Sequence, residues 1–258
     1  MAGPNLLTRL QWPDESVIPG FRAAVESYLD EINTLAISFY RLIAEALDMP
    51  ANAFDKFFDN PQHNKLKLVK YPPQPLNALI PEEGMQGVGP HKDGSFLTFL
   101  LQPTPHKGLE IQNKNGEWIK APPIPGTFVI NIGRSLQALT GGVCTATTHR
   151  VVLSPENFMD AEGKSLGPRY SFPVFQGVKT DLEKGQIGLQ IPQHIKDLVK
   201  DENIRSEAEA TFDKMFGESV REANFISRIT SHQDVGRRWY PDLLEKALQE
   251  QKRFQGND

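Results

Sequence analysis

The chain has 258 residues, 39% of them hydrophobic, with a formal net charge of −4 and a pI near 5.9. That balance excludes the basic patch a nucleic-acid-binding surface needs, and no uncharged apolar run approaches the roughly eighteen residues of a membrane span. A single cysteine, Cys144, excludes an internal disulfide framework, is expected to serve packing, and fits a reducing, cytoplasmic setting. The opening Met1-Ala2-Gly3-Pro4-Asn5 lacks the charged and apolar regions of a signal peptide.

Phe21 to Leu47 carries apolar residues at Phe21, Val25, Tyr28, Ile32, Leu35, Phe39, Leu42 and Ala46. That spacing predicts a long amphipathic helix with a core-facing stripe, closed near Asp48-Met49-Pro50. A shorter helical piece is expected over Ala53 to Phe58. From Lys65 to Phe175 the period changes to two. Leu66 to Tyr71 alternates and stops at Pro72-Pro73. Ser95 to Leu101 reads as a buried strand. Leu109 to Gln112 and Glu117 to Lys120 flank Asn115-Gly116, a short hairpin signal. Thr127 to Ile132 and His149 to Leu153 are further strands, and Ser154 to Pro168 reads as a surface loop. Many short strands punctuated by Gly and Pro point to a sandwich or barrel. After Thr180 the helical period returns over Ile195 to Lys200, Arg205 to Phe216 and Val235 to Phe254, the last interrupted by Pro241. The whole reads as one domain, 1–258, with a helical 1–62, a β-core 63–180 and a helical 181–258.

The chemistry concentrates in the β-core. His91, Asp93 and His149 supply two imidazoles and one carboxylate, the ligand set of a non-haem Fe(II) site with open coordination positions. On a strand, residues i and i+2 share a face, so His91 and Asp93 are expected to converge from one strand and His149 from another. Arg169 and Ser171 repeat the i, i+2 pattern and offer a cationic fork and a hydroxyl to a distant carboxylate. Polar groups aimed inward from apolar strands are costly unless a ligand satisfies them. A second triplet, His232-Gln233-Asp234, opens a helical stretch and is read as a helix start, with Asp234 as N-cap or first-turn acid. His63, His106 and His194 lie in polar or Pro-adjacent segments and are expected to be exposed. Gly163-Lys164-Ser165 is not a phosphate loop, because Phe158 stands where the first glycine belongs. No Gly-x-Ser-x-Gly elbow supports a serine hydrolase.

The ordered series Tyr71-Pro72-Pro73, Gly89-Pro90-His91-Lys92-Asp93, Gly108 to Gln112, Gly116-Glu117-Trp118, Val129 to Gly133, Thr148 to Val151 and Arg169-Tyr170-Ser171 resembles the isopenicillin-N-synthase-like branch of the 2-oxoglutarate/Fe(II) dioxygenases. The resemblance runs from about Gly20 to Gly177. It implies a mainly β fold with flanking helices, a double-stranded β-helix (jelly roll) preceded by the long helix and followed by C-terminal helices. It implies Fe(II) on His91, Asp93 and His149, with 2-oxoglutarate as co-substrate held by Arg169, Ser171 and Tyr71, and O2. Phe175 and the Asn77 to Met85 segment would border a small-molecule substrate. The implied reaction hydroxylates, desaturates or cyclises that substrate and releases succinate and CO2. Two other readings remain: an oxidase of the same fold that does not use 2-oxoglutarate, and a truncated, non-catalytic paralogue acting as a binding protein. Three departures stand out. Val69 replaces the family's usual asparagine, Arg134 replaces its usual aspartate, and the region before the long helix is short. The last suggests self-association through an exposed sheet edge.

Overall fold

Helix α1 (Phe21–Ala46) buries Ile32, Ala36, Tyr40 and Ala44, a row at intervals of four residues. The expected stripe is rotated, since Leu42 is exposed and Ala36 and Ala44 lie on the contact line instead. Small alanines let the helix approach closely, while Phe39 packs edge-on against Phe99 with centroids 5.6 Å apart. The computed structural model describes residues 12–59, 64–73, 85–182, 184–216 and 219–255. His63 and nearly all of the 77–85 segment lie outside these residues. A single 3-10 turn, Asp55–Phe57, follows α1 and sets Phe54 and Phe58 against Phe96, with centroids 5.2 and 5.1 Å away.

The strands are β1 (Lys65–Leu66), β2 (Val69–Tyr71), β3 (Gln86–His91), β4 (Leu97–Leu101), β5 (Leu109–Gln112), β6 (Trp118–Lys120), β7 (Phe128–Ile132), β8 (His149–Val152) and β9 (Arg169–Phe175). They form two antiparallel sheets. One runs β1-β9-β4-β7 with β2 also on β9, and the other runs β3-β8-β5-β6. From β3 onward the chain passes back and forth between the sheets, the winding expected of a double-stranded β-helix. β7 pairs only with β4 among the described residues, so its outer side is an open edge.

Register explains the two cores. Thr98 faces Asn131 and Phe175, and Leu100 faces Val129 and Pro173, so these six share one side of the sheet. Leu100 joins Tyr71, Leu109, Val151, Leu153 and Phe158 in the cluster between the sheets. Leu97, Phe99 and Val174 point the other way, into the larger cluster with α1. Phe158 corrects the surface-loop expectation for 154–168, because a second 3-10 turn, Pro155–Phe158, folds its ring into the inner core.

Helix α2 (Arg134–Leu139) has no counterpart in the sequence reading, yet all its residues from Ser135 to Leu139 are buried. The C-terminal part holds α3 (Gln193–Lys196), α4 (Glu202–Phe216), α5 (Val220–Ser231), α6 (Gln233–Trp239) and α7 (Pro241–Gln255). α5 was also unanticipated, although the Ser219 side chain accepts a hydrogen bond from the Glu222 N–H, the cap its spacing encodes. No helix among the described residues is long and apolar enough to cross a membrane.

His106 is 1% exposed, against the expectation of a surface position. Its Nε2–H donates to the Gly167 carbonyl at 3.0 Å, and its ring lies 5.3 Å from that of Phe158. Those contacts outweigh the surface tendency of its Pro-adjacent segment.

Two outcomes follow from this packing. A Cβ at Gly133 would overlap the Ser95 carbonyl oxygen, which the chain cannot clear by changing a rotamer. Gly133→Ala should therefore cost about 1–3 kcal/mol and lower the melting temperature by roughly 2–10 °C; an unchanged melting curve would refute the close approach. At His106, burial pushes the imidazole pKa below its ordinary 6.5, the Gly167 contact opposes, and the Arg169 charge adds to the lowering. The unfolded chain then binds the proton more readily, so stability is full above 6.5 and is lost as pH falls through the lowered value. His106→Gln should show a shallower loss of urea resistance between pH 7.5 and pH 5 than the parent. Parallel pH profiles would contradict the assignment.

Candidate metal centre

Three side chains converge at one end of the space between the sheets. His91 is the last residue of β3 and His149 the first of β8, and the two are Cα partners across that antiparallel pair. Asp93 stands two residues further on, in the turn that carries the chain from β3 into β4. The expectation that His91 and Asp93 share one strand is thus corrected. They meet because the turn crosses from one sheet to the other. The Gly- and Pro-rich composition of Gln86 to His91 concealed β3 from the sequence.

His91 Nε2 lies 3.5 Å from one Asp93 oxygen, and His149 Nε2 lies 3.7 Å from the other. One ligand atom from each residue falls within 4.8 Å of the other two, which leaves room for a single ion between them. Each imidazole is aimed by its opposite nitrogen: His91 Nδ1 contacts the Gly89 carbonyl at 2.8 Å and His149 Nδ1 the Thr147 carbonyl at 3.1 Å. A carbonyl only accepts, so both Nδ1 atoms carry hydrogen, and in the neutral rings both Nε2 atoms turn their lone pairs toward Asp93. Thr98 Oγ1 donates to Asp93 at 2.7 Å and fixes the carboxylate plane.

The charges respond to this crowding. Burial alone raises the Asp93 pKa, but a hydrogen bond from His91 when that ring is protonated, the hydrogen bond from Thr98 and the attraction of the imidazoles in their protonated forms together hold it below the usual carboxylate value. The hydrogen bond to Asp93 raises His91, against the opposing effect of burial. Burial lowers His149, which keeps it neutral, the form that binds a metal. The His91 side chain is 38% exposed, against 8% for His149, so the group opens to solvent on the His91 side.

The turn is clamped from behind. The Arg134 N–H donates to the Asp93 carbonyl at 2.7 Å, and Ser135 Oγ donates to the Gly94 carbonyl at 2.7 Å. Arg134 therefore acts here through its backbone at the start of α2, whatever its side-chain identity. Lys92, between the two ligands, pairs with Glu207 of α4 at 2.5 Å.

Deeper along β9, Arg169 pairs with Tyr71 and Ser171 with Val69, so Arg169, Ser171, Tyr71 and Val69 share the inner face. Arg169 is 1% exposed. One guanidinium nitrogen donates to Gln102 at 3.2 Å, its carbon lies 5.1 Å from the Tyr71 ring centre, and Nη1 has no hydrogen-bond partner among the described residues. Burial lowers the Arg169 pKa and Tyr71 partly restores it, with no carboxylate contributing. Burial likewise raises the Tyr71 phenol, while Arg169 draws it down. A buried guanidinium with a free donor and no counter-ion among the described residues is a candidate anion site. Phe175 lies on the same inner face at the other end of β9, opposite Thr98.

Other sequence candidates fall elsewhere. His232 precedes α6, Asp234 sits in that helix's first turn, and neither joins a cluster of metal-capable groups among the described residues. His194 is exposed, 3.4 Å from Asp48. Sequence reasoning passed over Thr98 and Gln102. A lone threonine in the apolar run Leu97 to Leu101 was the signal available for the first; Gln102, in a turn, offered none.

Residues 62–177 match the model of the 2OG-Fe(II) oxygenase superfamily. A 2-oxoglutarate-dependent dioxygenase of Gibberella zeae is 47% identical over 93% of this chain, and the 2-oxoglutarate-dependent dioxygenase frbJ of Dothideomycetidae sp. is 43% identical over 98%. The chain spans 63% and 66% of those relatives' lengths. Among solved structures, a full-length Neurospora crassa protein in complex with alpha-KG and 5-formyluracil aligns with a TM-score of 0.59 at 28% identity, covering 75% of this chain and 58% of that one. A putative 2OG-Fe(II) oxygenase family protein of Caulobacter crescentus aligns with a TM-score of 0.60 at 27% identity, over 83% of this chain and 65% of the other. With the two-sheet fold and the His-Asp-His cluster, these likenesses place the chain in the 2OG-Fe(II) oxygenase superfamily.

Proposed function

We propose that this chain is an Fe(II)- and 2-oxoglutarate-dependent dioxygenase of a small organic molecule, acting in the cytoplasm. The observation that carries the reading is the orphaned Nη1 of Arg169, a buried cation that lacks an anion in the same interior that gathers His91, Asp93 and His149. A dicarboxylate with a metal-chelating 2-oxo acid at one end matches both needs. The bound pair supplies oxidative chemistry: one oxygen of O2 enters the substrate, the other enters succinate, and CO2 leaves. In the desaturating and cyclising variants the substrate instead gives up two hydrogens, and the oxygen it would have received leaves as water.

The residues do the rest. Asp93 contributes one of the two negative charges that neutralise a divalent ion, and the two neutral imidazoles add none. Gly89, Thr147 and Thr98 hold the three ligands in orientation. Arg169 offers its free edge to the far carboxylate, with Ser171 and Tyr71 beside it on the same face. The Tyr71, Leu100, Leu109, Val151 and Leu153 cluster keeps water from this end, which strengthens the charged contact. Phe175 borders the substrate side. The open edge of β7 is where the expected self-association would act.

Anaerobic Fe(II) titration tests the assignment. A weak visible charge-transfer band should appear only when Fe(II) and 2-oxoglutarate are both present. It should vanish in His91→Ala, Asp93→Ala and His149→Ala, and persist in His232→Ala. Unchanged iron stoichiometry in the three variants would sink the triad, and a band indifferent to 2-oxoglutarate would favour the oxidase reading. Arg169→Lys should keep iron but lose the bidentate fork. A lost charge-assisted hydrogen bond is worth about 1.5–3 kcal/mol, so the 2-oxoglutarate requirement should rise by roughly one to two decades. A variant that uses 2-oxoglutarate as well as the parent would place the co-substrate elsewhere.

A further inference from the structure

Register continues beyond β2 to the mouth of the site. Lys65 is the Cα partner of Phe175, and the Lys67 N–H donates to the Pro173 carbonyl, so Lys65 and Lys67 extend the inner face of Val69 and Tyr71. Lys67 Nζ lies 5.5 Å from the Phe175 ring centre. Phe175 faces Thr98, and Thr98 holds Asp93. Lys67 is thus one aromatic ring and one hydroxyl removed from the candidate metal centre.

It is not alone. The Lys65 ammonium is held below its ordinary value first by burial around it and then by the charges of Lys67 and of Arg228 on α5. Lys65, Lys67 and Arg228 are thus neighbouring cations in a chain whose net charge is −4. Among the described residues none of the three forms an ion pair, whereas Arg22, Lys92, Arg150 and Arg205 each do. Like charges held together without an acid repel one another, and an arriving anion relieves that repulsion. Arg169 belongs to a separate place on this face, because it lies four residues along β9 from Pro173, the partner of Lys67, about 13 Å of strand.

We propose that the substrate is a small organic acid whose carboxylate binds Lys67, with Lys65 and Arg228 enhancing the field and Phe175 packing against the apolar part. This rests on the reading of the centre as an Fe(II)/2-oxoglutarate site. It assigns the two ends of the inner lane to two different anions: the co-substrate on Arg169 and the substrate on Lys67. Phe175 and Lys67 together then select for an acid with an apolar body beside its charged end.

The test uses the full chain loaded anaerobically with Fe(II) and 2-oxoglutarate. A panel of aliphatic and aromatic carboxylic acids, each matched with its own primary amide, is titrated while the charge-transfer band is followed. At least one acid should perturb the band at roughly tenfold lower concentration than its amide, as one charge-assisted hydrogen bond implies. That advantage should disappear in Lys67→Gln and survive in Lys70→Gln, whose side chain lies on the opposite face of β2. A panel in which no acid outperforms its amide overturns the proposal, as does an advantage that persists in Lys67→Gln. A band lost in Lys67→Gln alone would instead tie Lys67 to the centre's integrity and also overturn it. Absence of the band in the parent protein would bring down the reading of the centre itself, and this inference with it.

Discussion

The two-sided pairing of β9 is the constraint on which the rest of the structure depends. One edge of this strand is hydrogen-bonded to β1 and β2 and the other to β4, so its register is fixed from both sides. A slip of one residue would turn Arg169, Ser171 and Phe175 outward and bring Tyr170, Phe172 and Val174 inside. Both cores would fail together, because Val174 belongs to the cluster under α1 while Arg169 lies against Tyr71 between the sheets. The same alternation that packs the fold therefore aligns Arg169, Ser171 and Phe175 along one inward-facing lane.

That lane is electrostatically unusual. Asp93 is the buried carboxylate of the interior, and its charge is committed to two imidazoles and a threonine. Among the described residues no carboxylate answers Arg169, although a guanidinium taken out of water without a partner costs several kcal/mol. The fold tolerates that cost because the pairing of Tyr71 with Arg169 places an aromatic ring beside the cation and Gln102 accepts one of its hydrogens. Half-satisfied burial of this kind holds the group in place and leaves it one strong interaction to make. His106 borders the same region as a neutral group, since a proton on its buried Nδ1 would face an Arg169 charge and no acceptor.

Much of this was legible in the residues. The buried apolar runs of β4 and β7, the alternation at Arg169 to Phe172 in β9 and the Asn115-Gly116 turn follow from local sterics and burial, which sequence records directly. Arg169 and Ser171 at i, i+2 read correctly as sharing a face because they do lie on one strand. What escaped was decided by tertiary contact. α2 is only six residues long, and its amphipathic pattern is erased because it is buried from Ser135 to Leu139. α1 turned its alanines inward because a large sheet needs close approach more than it needs the most apolar stripe. His106 went inside because Gly167 offered a carbonyl and Phe158 a ring, neither of which is near it in sequence.

His91 and Asp93 show how a correct choice of residues can rest on the wrong geometry. Their spacing suggested one strand, yet they belong to the end of one sheet and the turn into the other. The spacing still works because a crossing between two facing sheets must reverse the chain's surroundings within a residue or two. Lys92, the residue between them, reaches instead toward α4, where Glu207 receives it. The backbone on either side of Asp93 is held by α2 through the Arg134 N–H and the Ser135 hydroxyl. The turn that carries Asp93 thus gets its rigidity from helices that contribute no side chain to the His-Asp-His cluster. A short loop fixed in this way can hold a carboxylate against two imidazoles without the support of a strand ladder, and that is why the His-x-Asp pair can stand at a seam rather than on a sheet.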